Sequence, residues 1–148
     1  MTLIVLAEDD EDLTDKYLTE LERAGFEVIH AASGFDLKDL VKKHKPAIIL
    51  SDTHLEEIDG DEACKELLRE GLIDNAFLIA MSAVRDYDSC WKNVAHEFLY
   101  KASITDLGTT TNHLYQKFLA NPNPRRYKDF SPICSRSQGQ EGRGGNCP

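Results

Sequence analysis

The sequence lacks any long hydrophobic run. Its uninterrupted apolar stretches, of which Leu3–Ala7 is typical, are only a few residues long, whereas a membrane-spanning helix needs about 20. A secretory signal begins with a basic segment followed by about 7–15 apolar residues, but here the first apolar stretch leads directly into a block of acids. We therefore expect a cytoplasmic protein that does not associate with a membrane.

Basic residues and closely spaced cysteines are also scarce. Residues 1–121 contain 12 lysines and arginines against 24 aspartates and glutamates, and the whole chain carries a net charge of −9. Nucleic-acid binding needs a basic surface, so we expect no nucleic-acid partner. No two of the four cysteines lie close together in the sequence, which argues against zinc or redox motifs and favours reduced thiols.

Proline and glycine are rare before residue 122 and frequent after it. Four of the five prolines and four of the nine glycines follow Asn121, and residues 135–148 contain no valine, isoleucine, leucine or phenylalanine. Such a stretch cannot bury enough apolar surface to offset the loss of chain entropy on folding. We predict one folded domain over residues 1–121 and a polar, Pro/Gly-rich, disordered tail over residues 122–148.

Residues 1–121 alternate between short apolar runs and amphipathic stretches. The apolar runs are predicted strands: Leu3–Ala7, Phe26–His30, Ala47–Ser51, Ala76–Met81 and Glu97–Tyr100. Most of them are apolar on consecutive residues, as in a sheet that is covered on both faces. Helices are predicted at about 12–24, 33–45, 61–70, 85–93 and 104–119. This order predicts an α/β fold with a five-stranded, doubly wound parallel sheet.

Polar side chains follow four of the predicted strands. Glu8 and Asp9 follow the first strand, Asp52 the third, Ser82 the fourth and Lys101 the fifth. The carboxyl ends of parallel strands open on one edge of the sheet, where ligands bind. Carboxylates on neighbouring strands, about 4.8 Å apart, repel one another unless a cation lies between them. Mg²⁺, which prefers oxygen ligands, suits such a site.

Each of these residues also has an ordinary explanation. An acidic run can be a solvated helix start, a serine after a strand can be a helix cap, and a lysine can be a surface residue. A helix start does not account for Asp52, which follows the apolar run Ile48–Leu50. Beside a metal, an aspartate can attack phosphorus, while a hydroxyl and an ammonium stabilise the phosphoryl oxygens. Taken together, the residues indicate phosphoryl chemistry.

Two segments make the sequence similar to the receiver domains of bacterial two-component response regulators. The first is Leu3–Asp10, and the second is Ile48–Asp52 followed by Ile58–Gly60. The resemblance covers residues 2–119. It implies a (βα)5, flavodoxin-like fold and a stand-alone response regulator that is not an enzyme. It also implies a histidine kinase or phosphotransfer protein as phosphoryl donor, and a downstream protein target.

The resemblance assigns roles to single residues. It implies that Asp52 accepts the phosphoryl group and that Lys101 contacts the phosphoryl oxygens. It implies a Mg²⁺ site formed by Glu8, Asp9, Asp52 and the main-chain carbonyl of His54. Two further residues would form the switch: Ser82 as the hydroxyl that moves, and Phe98 as the aromatic ring that follows it.

The sequence departs from the family pattern at four places. Glu56 stands where a proline is usual after the phosphoacceptor, and Ala102 replaces the cis proline that normally follows the lysine. Because a non-proline cis bond costs about 2.5–4 kcal/mol, either the Lys101–Ala102 bond is trans or strain is tolerated. The stretch from Ser82 to Lys101 is short, which predicts a shortened fourth helix. His54, two residues after Asp52, is a candidate for tuning the attack of water.

Two other classes of function remain open on the sequence alone. The departures also suit a pseudo-receiver, which would bind partners without phosphoryl chemistry. A phosphatase of the haloacid dehalogenase type needs a second acid two residues after the nucleophile, where this chain has His54. A flavodoxin needs a hydroxyl- and glycine-rich phosphate loop after the first strand, where this chain has Glu8, Asp9 and Asp10. We also expect the partner surface to consist of the predicted fourth helix, fifth strand and fifth helix, and a homodimer to form through the same surface.

Overall fold

The five apolar runs form one parallel sheet. In the computed structural model, which describes residues 1–127, the strands are β1 (Leu3–Ala7), β2 (Glu27–Ala31), β3 (Ile48–Asp52), β4 (Phe77–Ser82) and β5 (Glu97–Tyr100). Their spatial order is β2-β1-β3-β4-β5, which is the doubly wound, flavodoxin-like order. The predicted fold class is confirmed.

Helices connect the strands and cover both faces of the sheet. The α-helices are α1 (Glu11–Arg23), α2 (Gly34–His44), α3 (Gly60–Arg69) and α4 (Leu107–Ala120). The stretch between β4 and β5, predicted as a short helix over residues 85–93, instead forms the 3₁₀ segment Arg85–Trp91. A second 3₁₀ turn, Lys101–Ser103, precedes α4, so this helix starts three residues later than predicted.

Consecutive strand residues alternate between two apolar layers. Val5, Ile49 and Leu78 face the layer that contains residues of α2 and α3 together with Trp91. Leu6, Leu50 and Ile79 face the opposite layer, which contains residues of α1 and α4. Burial on both faces explains why the strands are apolar on consecutive positions.

Three strands lie one residue further along the chain than predicted, and two of them therefore end on polar residues. Asp52 is the last residue of β3 and pairs with Met81, while Ser82 is the last residue of β4 and pairs with Tyr100. The hydrophobic pattern marks only the apolar residues of a strand. The hydrogen-bonded ladder of the main chain continues for one more residue at the ends of β3 and β4. Asp52 and Ser82 are consequently held by the sheet itself.

The described part of the C-terminal region contacts the domain. The Arg126 guanidinium donates to the carbonyls of Val94 (2.6 Å) and Ile73 (3.4 Å). The Tyr127 hydroxyl donates to Asp88 Oδ2 at 2.9 Å. These contacts differ from the expectation of a free tail from residue 122; the rest of that predicted tail, residues 128–148, lies outside the described residues.

No helix within residues 1–127 is both long enough and apolar enough to cross a membrane.

Candidate functional site

The carboxyl ends of β1, β3 and β5 bring two acids and one lysine together. Lys101 Nζ donates to Glu8 Oε1 at 2.7 Å and lies 3.1 Å from Asp52 Oδ2. Glu8 is fully buried and Asp52 is 7% exposed. Buried carboxylates need a partner to offset the loss of hydration, and here one ammonium serves both. The structure therefore places these three sequence-predicted residues together.

Glu8 is held by hydrogen bonds at its main chain as well as its side chain. Its amide donates to the Ala31 carbonyl at 3.1 Å, which extends the β1–β2 ladder. Its carbonyl accepts from His30 Nε2 at 2.7 Å, and Oε2 accepts from the Asp10 amide at 3.2 Å. Asp10 in turn caps α1, because its Oδ1 accepts from the Leu13 amide at 3.0 Å. The start of α1 thus helps to hold Glu8 in the site.

Asp52 is held at both carboxylate oxygens. Oδ1 accepts from the Thr53 amide at 2.9 Å, while Oδ2 faces Lys101. Burial and the negative charge of Glu8 raise the pKa of Asp52 to about 6, against the opposing effect of Lys101. Although burial of Lys101 opposes its charged form, the hydrogen bond to Glu8 and the charge of Asp52 together raise the pKa of its ammonium.

The same edge of the sheet carries a group of three acids suited to a cation. One carboxylate oxygen from each of Glu8, Asp9 and Asp52 lies within 4.8 Å of the others, and Asp9 is exposed. Mg²⁺ takes hard oxygen ligands and commonly keeps several of its waters. Three carboxylates with one side open to solvent fit that requirement, and one ammonium does not balance their charge. The donor set therefore fits a divalent cation.

The loop after Asp52 is drawn close to the start of α3. The Gly60 amide donates to the Thr53 carbonyl at 2.7 Å. A Cβ atom at position 60 would lie 2.0 Å from the Asp52 carbonyl oxygen and 2.5 Å from Ser51 Oγ. Both distances are too short for atoms that are not bonded, so no side chain fits at this position. Glu57, in the same loop, has φ = +75°, a region that non-glycine residues seldom adopt. The tight loop fixes the main chain on both sides of Asp52.

Sequence reasoning missed Thr53 and Trp91 as residues of this site. Thr53 Oγ1 donates to the Met81 carbonyl at 2.9 Å and accepts from Trp91 Nε1 at 2.9 Å. Trp91 falls within the stretch predicted as a short helix over residues 85–93. The one available signal was a hydroxyl residue next to the acceptor, and nothing in the sequence pairs it with a tryptophan 38 positions away.

Ser82, Phe98 and His54 contact residues other than the three acids. Ser82 Oγ accepts from the Val84 amide at 3.0 Å. The Phe98 ring packs against the layer that contains Trp91, and its centroid lies 6.3 Å from that of Tyr127. The His54 side chain is mostly exposed, and its Nδ1 donates to Asp59 Oδ1 at 3.2 Å.

The replacement of proline by Ala102 does not misdirect Lys101. No peptide bond within residues 1–127 is cis, so the Lys101–Ala102 bond is trans. The ammonium nevertheless lies within 3.1 Å of both carboxylates. The departure from the family pattern at this position therefore leaves the ammonium in place.

Comparison with known proteins finds one family. The sequence profile of the response regulator receiver domain matches residues 4–109. The polar-differentiation response regulator DivK of Brucella ovis is 34% identical over 84 residues, which are 56% of this chain and 68% of that protein. The alkaline phosphatase synthesis transcriptional regulatory protein PhoP of Bacillus subtilis is 32% identical over 83 residues. That match spans 56% of this chain but only 33% of PhoP.

Solved structures show the same fold. The receiver domain of the Francisella response regulator 1452 superimposes with a TM-score of 0.70 at 21% identity, covering 80% of this chain and 99% of that one. The receiver domain of the sensor histidine kinase PA1611 of Pseudomonas aeruginosa gives a TM-score of 0.71 at 20% identity, covering 81% and 98%. The latter structure has a magnesium ion coordinated in its active-site cleft.

Proposed function

The chain belongs to the response regulator receiver domain family, and on that premise we propose that it is a phosphoacceptor switch in two-component signalling. Asp52 accepts a phosphoryl group from a histidine kinase or a phosphotransfer protein. One observation carries the proposal: a nearly buried Asp52 carboxylate lies 3.1 Å from the Lys101 ammonium and within 4.8 Å of two further acids.

The transfer is a single displacement at phosphorus. A carboxylate oxygen of Asp52 forms a bond to phosphorus while the bond from phosphorus to the donor histidine nitrogen breaks, and the electron pair stays on that nitrogen. The Lys101 ammonium, already beside Asp52, contacts the phosphoryl oxygens on which charge is spread in the transition state. Because Oδ1 of Asp52 is hydrogen-bonded and Oδ2 is paired with Lys101, little reorganisation is needed before attack.

The acids next to Asp52 form the proposed metal site. Glu8, Asp9, Asp52 and the main-chain carbonyl of His54 would hold Mg²⁺, which when bound supplies positive charge next to the phosphoryl oxygens. The chain itself contributes the geometry, because β1 and β3 place Glu8 and Asp52 side by side. The position of His54 after Asp52 also suits a role in tuning the attack of water on the phosphorylated protein.

The switch would begin at Ser82 and extend to Phe98. The Ser82 hydroxyl, which now accepts from the Val84 amide, turns toward the phosphoryl oxygens and releases that amide at the start of the 3₁₀ segment. Phe98 then repacks. The new charge on Asp52 thereby biases two arrangements of the surface formed by the 3₁₀ segment, β5 and α4. We propose this surface as the site where a downstream protein, or a second copy of the chain, binds.

Phosphorylation by a small phosphoryl donor tests the proposal. We expect the intact mass of the wild type to increase by one phosphoryl group when Mg²⁺ is present, and not when it is chelated. Asp52→Asn is the control and should show no increase. An equal increase in Asp52→Asn would contradict the assignment of the acceptor.

The same samples distinguish a phosphoacceptor from a pseudo-receiver, once their melting temperatures are also measured. If Mg²⁺ raises the melting temperature but the wild type gains no mass, the chain binds the metal without phosphoryl chemistry and acts by binding alone. If Mg²⁺ changes neither quantity, the acid group is not a metal site.

A further inference from the structure

Trp91 is the largest fully buried side chain of the described domain, and its role is not explained by packing alone. It lies at the end of the 3₁₀ segment with 0% of its side chain exposed. A buried indole needs an acceptor for its N–H group, whereas a phenylalanine could fill an apolar site without that requirement. The acceptor in this protein is Thr53, the residue directly after Asp52.

The Thr53 side chain is fixed from both directions. Its hydroxyl accepts from Trp91 Nε1 at 2.9 Å and donates to the Met81 carbonyl at 2.9 Å. Because the hydroxyl proton is committed to Met81, the Thr53 oxygen acts toward Trp91 only as an acceptor. Thr53 is 2% exposed, so water does not compete effectively for these bonds.

The Thr53 main chain carries this constraint to the acceptor. Its amide donates to Asp52 Oδ1 at 2.9 Å and to the Met81 carbonyl at 3.0 Å. Its carbonyl accepts from the Gly60 amide at 2.7 Å. With Oδ1 held by this amide, Oδ2 is the oxygen that faces Lys101. The orientation of the Asp52 carboxylate therefore depends on where the Thr53 peptide lies.

We propose that Trp91 is a positioning residue for phosphoryl transfer: its indole N–H holds Thr53, and Thr53 orients the Asp52 carboxylate. This inference rests on the proposed function of Asp52. It also ties the 3₁₀ segment to the site, since Trp91 closes that segment and its carbonyl accepts from the amides of Val94 and Ala95. Small displacements of a reacting group have large effects on rate, so loss of the bond should slow transfer.

Two substitutions remove the bond from opposite ends. Trp91→Phe keeps an aromatic ring but removes the donor, and Thr53→Val keeps the side-chain shape but removes the acceptor. At saturating Mg²⁺, we expect each to slow phosphorylation by a small donor about ten-fold. Thr53→Val also removes the hydroxyl's bond to the Met81 carbonyl. The double variant should be no more than about two-fold slower than the slower single variant, because both changes remove the same Trp91–Thr53 bond. Thr53→Ser retains the hydroxyl and should stay within about two-fold of the wild type.

A matched core variant separates positioning from loss of stability. Phe77→Leu removes ring packing in the layer on the other face of the sheet, away from Thr53. We expect it to lower the melting temperature and to phosphorylate at the wild-type rate. An equal slowing in Phe77→Leu would overturn the inference, because it would show that the rate follows stability.

A spectroscopic readout supplements the rates. Trp91 is the only tryptophan of the chain, so its indole N–H gives one resonance in a ¹H–¹⁵N spectrum. We expect this resonance to shift in Thr53→Val and to shift again when wild-type Asp52 is phosphorylated. If Trp91→Phe does not fold, the phosphorylation rate of Thr53→Val and the indole resonance of the wild type still test whether Trp91 positions Asp52.

The outcomes distinguish the inference from the function on which it rests. Wild-type rates in Trp91→Phe or Thr53→Val, or an indole resonance that phosphorylation leaves unchanged, would overturn the positioning role alone. Fully multiplicative effects in the double variant would also overturn it. Failure of the wild type to accept a phosphoryl group on Asp52 would overturn the proposed function and the inference together.

Discussion

At the scale of single residues, the site depends on two buried carboxylates that share one ammonium. Glu8 and Asp52 come from different strands, and Lys101 lies between their oxygens. Removing one partner of a buried ion pair leaves an uncompensated charge, which is more costly than the pair itself. Lys101 offsets only one of the two negative charges, so the site keeps a net negative charge. An added cation or phosphoryl group changes that charge, which makes the site responsive to either.

A buried histidine at the other end of the sheet makes folding sensitive to acid. His96 is 5% exposed, and its Nδ1 accepts from the Leu78 amide at 3.1 Å. Burial and the nearby Arg126 charge lower the pKa of His96 to about 4, from 6.5. Between those pH values the unfolded chain binds a proton that the folded chain does not. The contribution of His96 to stability is therefore complete above pH 6.5 and is lost progressively as the pH falls from 6.5 through 4.

We predict that His96→Asn weakens this pH dependence. The loss in wild-type free energy of unfolding from this residue amounts to about 3 kcal/mol between pH 7 and pH 4. Asparagine can still offer an oxygen acceptor to the Leu78 amide but cannot take up the proton. Urea unfolding at pH 7, 5.5 and 4 measures the effect. The variant should start less stable, because ring packing is lost, and should lose less on acidification. Parallel pH curves for the two proteins would contradict the prediction.

At the scale of elements, helix α3 approaches β3 more closely than a side chain would allow. Gly60 is the first residue of α3, and its Cα packs directly on the Asp52 carbonyl. The approach lets the Gly60 amide bind the Thr53 carbonyl, so the helix start and the acceptor strand form one unit. The position of this glycine is therefore set by the site and not by the needs of the helix.

We predict that Gly60→Ala lowers the free energy of unfolding by about 2 kcal/mol or more. The added Cβ would clash with the main-chain carbonyl of Asp52, which cannot move away without displacing Asp52 itself. Phosphorylation should also slow. Gly71→Ala is the matched control beyond the end of α3: Gly71 has φ = +74°, and its nearest neighbouring atom would be 3.8 Å from a Cβ. It should cost about 1 kcal/mol and leave the phosphorylation rate unchanged. Equal losses of stability and equal phosphorylation rates in the two variants would show that the close packing of Gly60 on Asp52 has no special role.

At the scale of the whole molecule, the C-terminal segment ties together parts of the domain that are distant in sequence. Arg126 reaches carbonyls at Ile73 and Val94, before β4 and before β5. Tyr127 donates its hydroxyl to Asp88 in the 3₁₀ segment, and its ring lies next to that of Phe98. Tyr127 therefore lies on the surface formed by the 3₁₀ segment, β5 and α4, which we propose as the binding site of a downstream protein.

We predict that truncation after Asn121 destabilises the domain, whereas truncation after Tyr127 does not. The shorter chain loses the three hydrogen bonds of Arg126 and the Tyr127 hydroxyl, which corresponds to about 2 kcal/mol. Thermal unfolding of the two truncated chains and of the full chain measures this difference. Both truncated chains should still accept a phosphoryl group on Asp52, since the segment does not reach the carboxylates. Equal melting temperatures would show that these contacts do not contribute to stability.

The sequence alone determined the class of the fold and most members of the site. Apolar runs, caps and breaks are properties of neighbouring residues: Ser33 accepts from the Asp36 amide at the start of α2, and Gly25 adopts φ = +97° after α1. The carboxyl ends of parallel strands lie on one edge of the sheet, so polar residues that directly follow apolar runs are expected to meet there. Glu8, Asp52 and Lys101 follow from this rule.

Only the tertiary structure decided which side chains meet across the layers. Trp91 and Thr53 are 38 residues apart, and Arg126 lies 53 residues from Ile73; no local pattern relates them. The stretch predicted as a short helix over residues 85–93 forms the 3₁₀ segment Arg85–Trp91, which ends on the fully buried Trp91. Local sequence encodes periodicity and caps, which act over a few residues, whereas long-range pairs depend on the packing of complete layers.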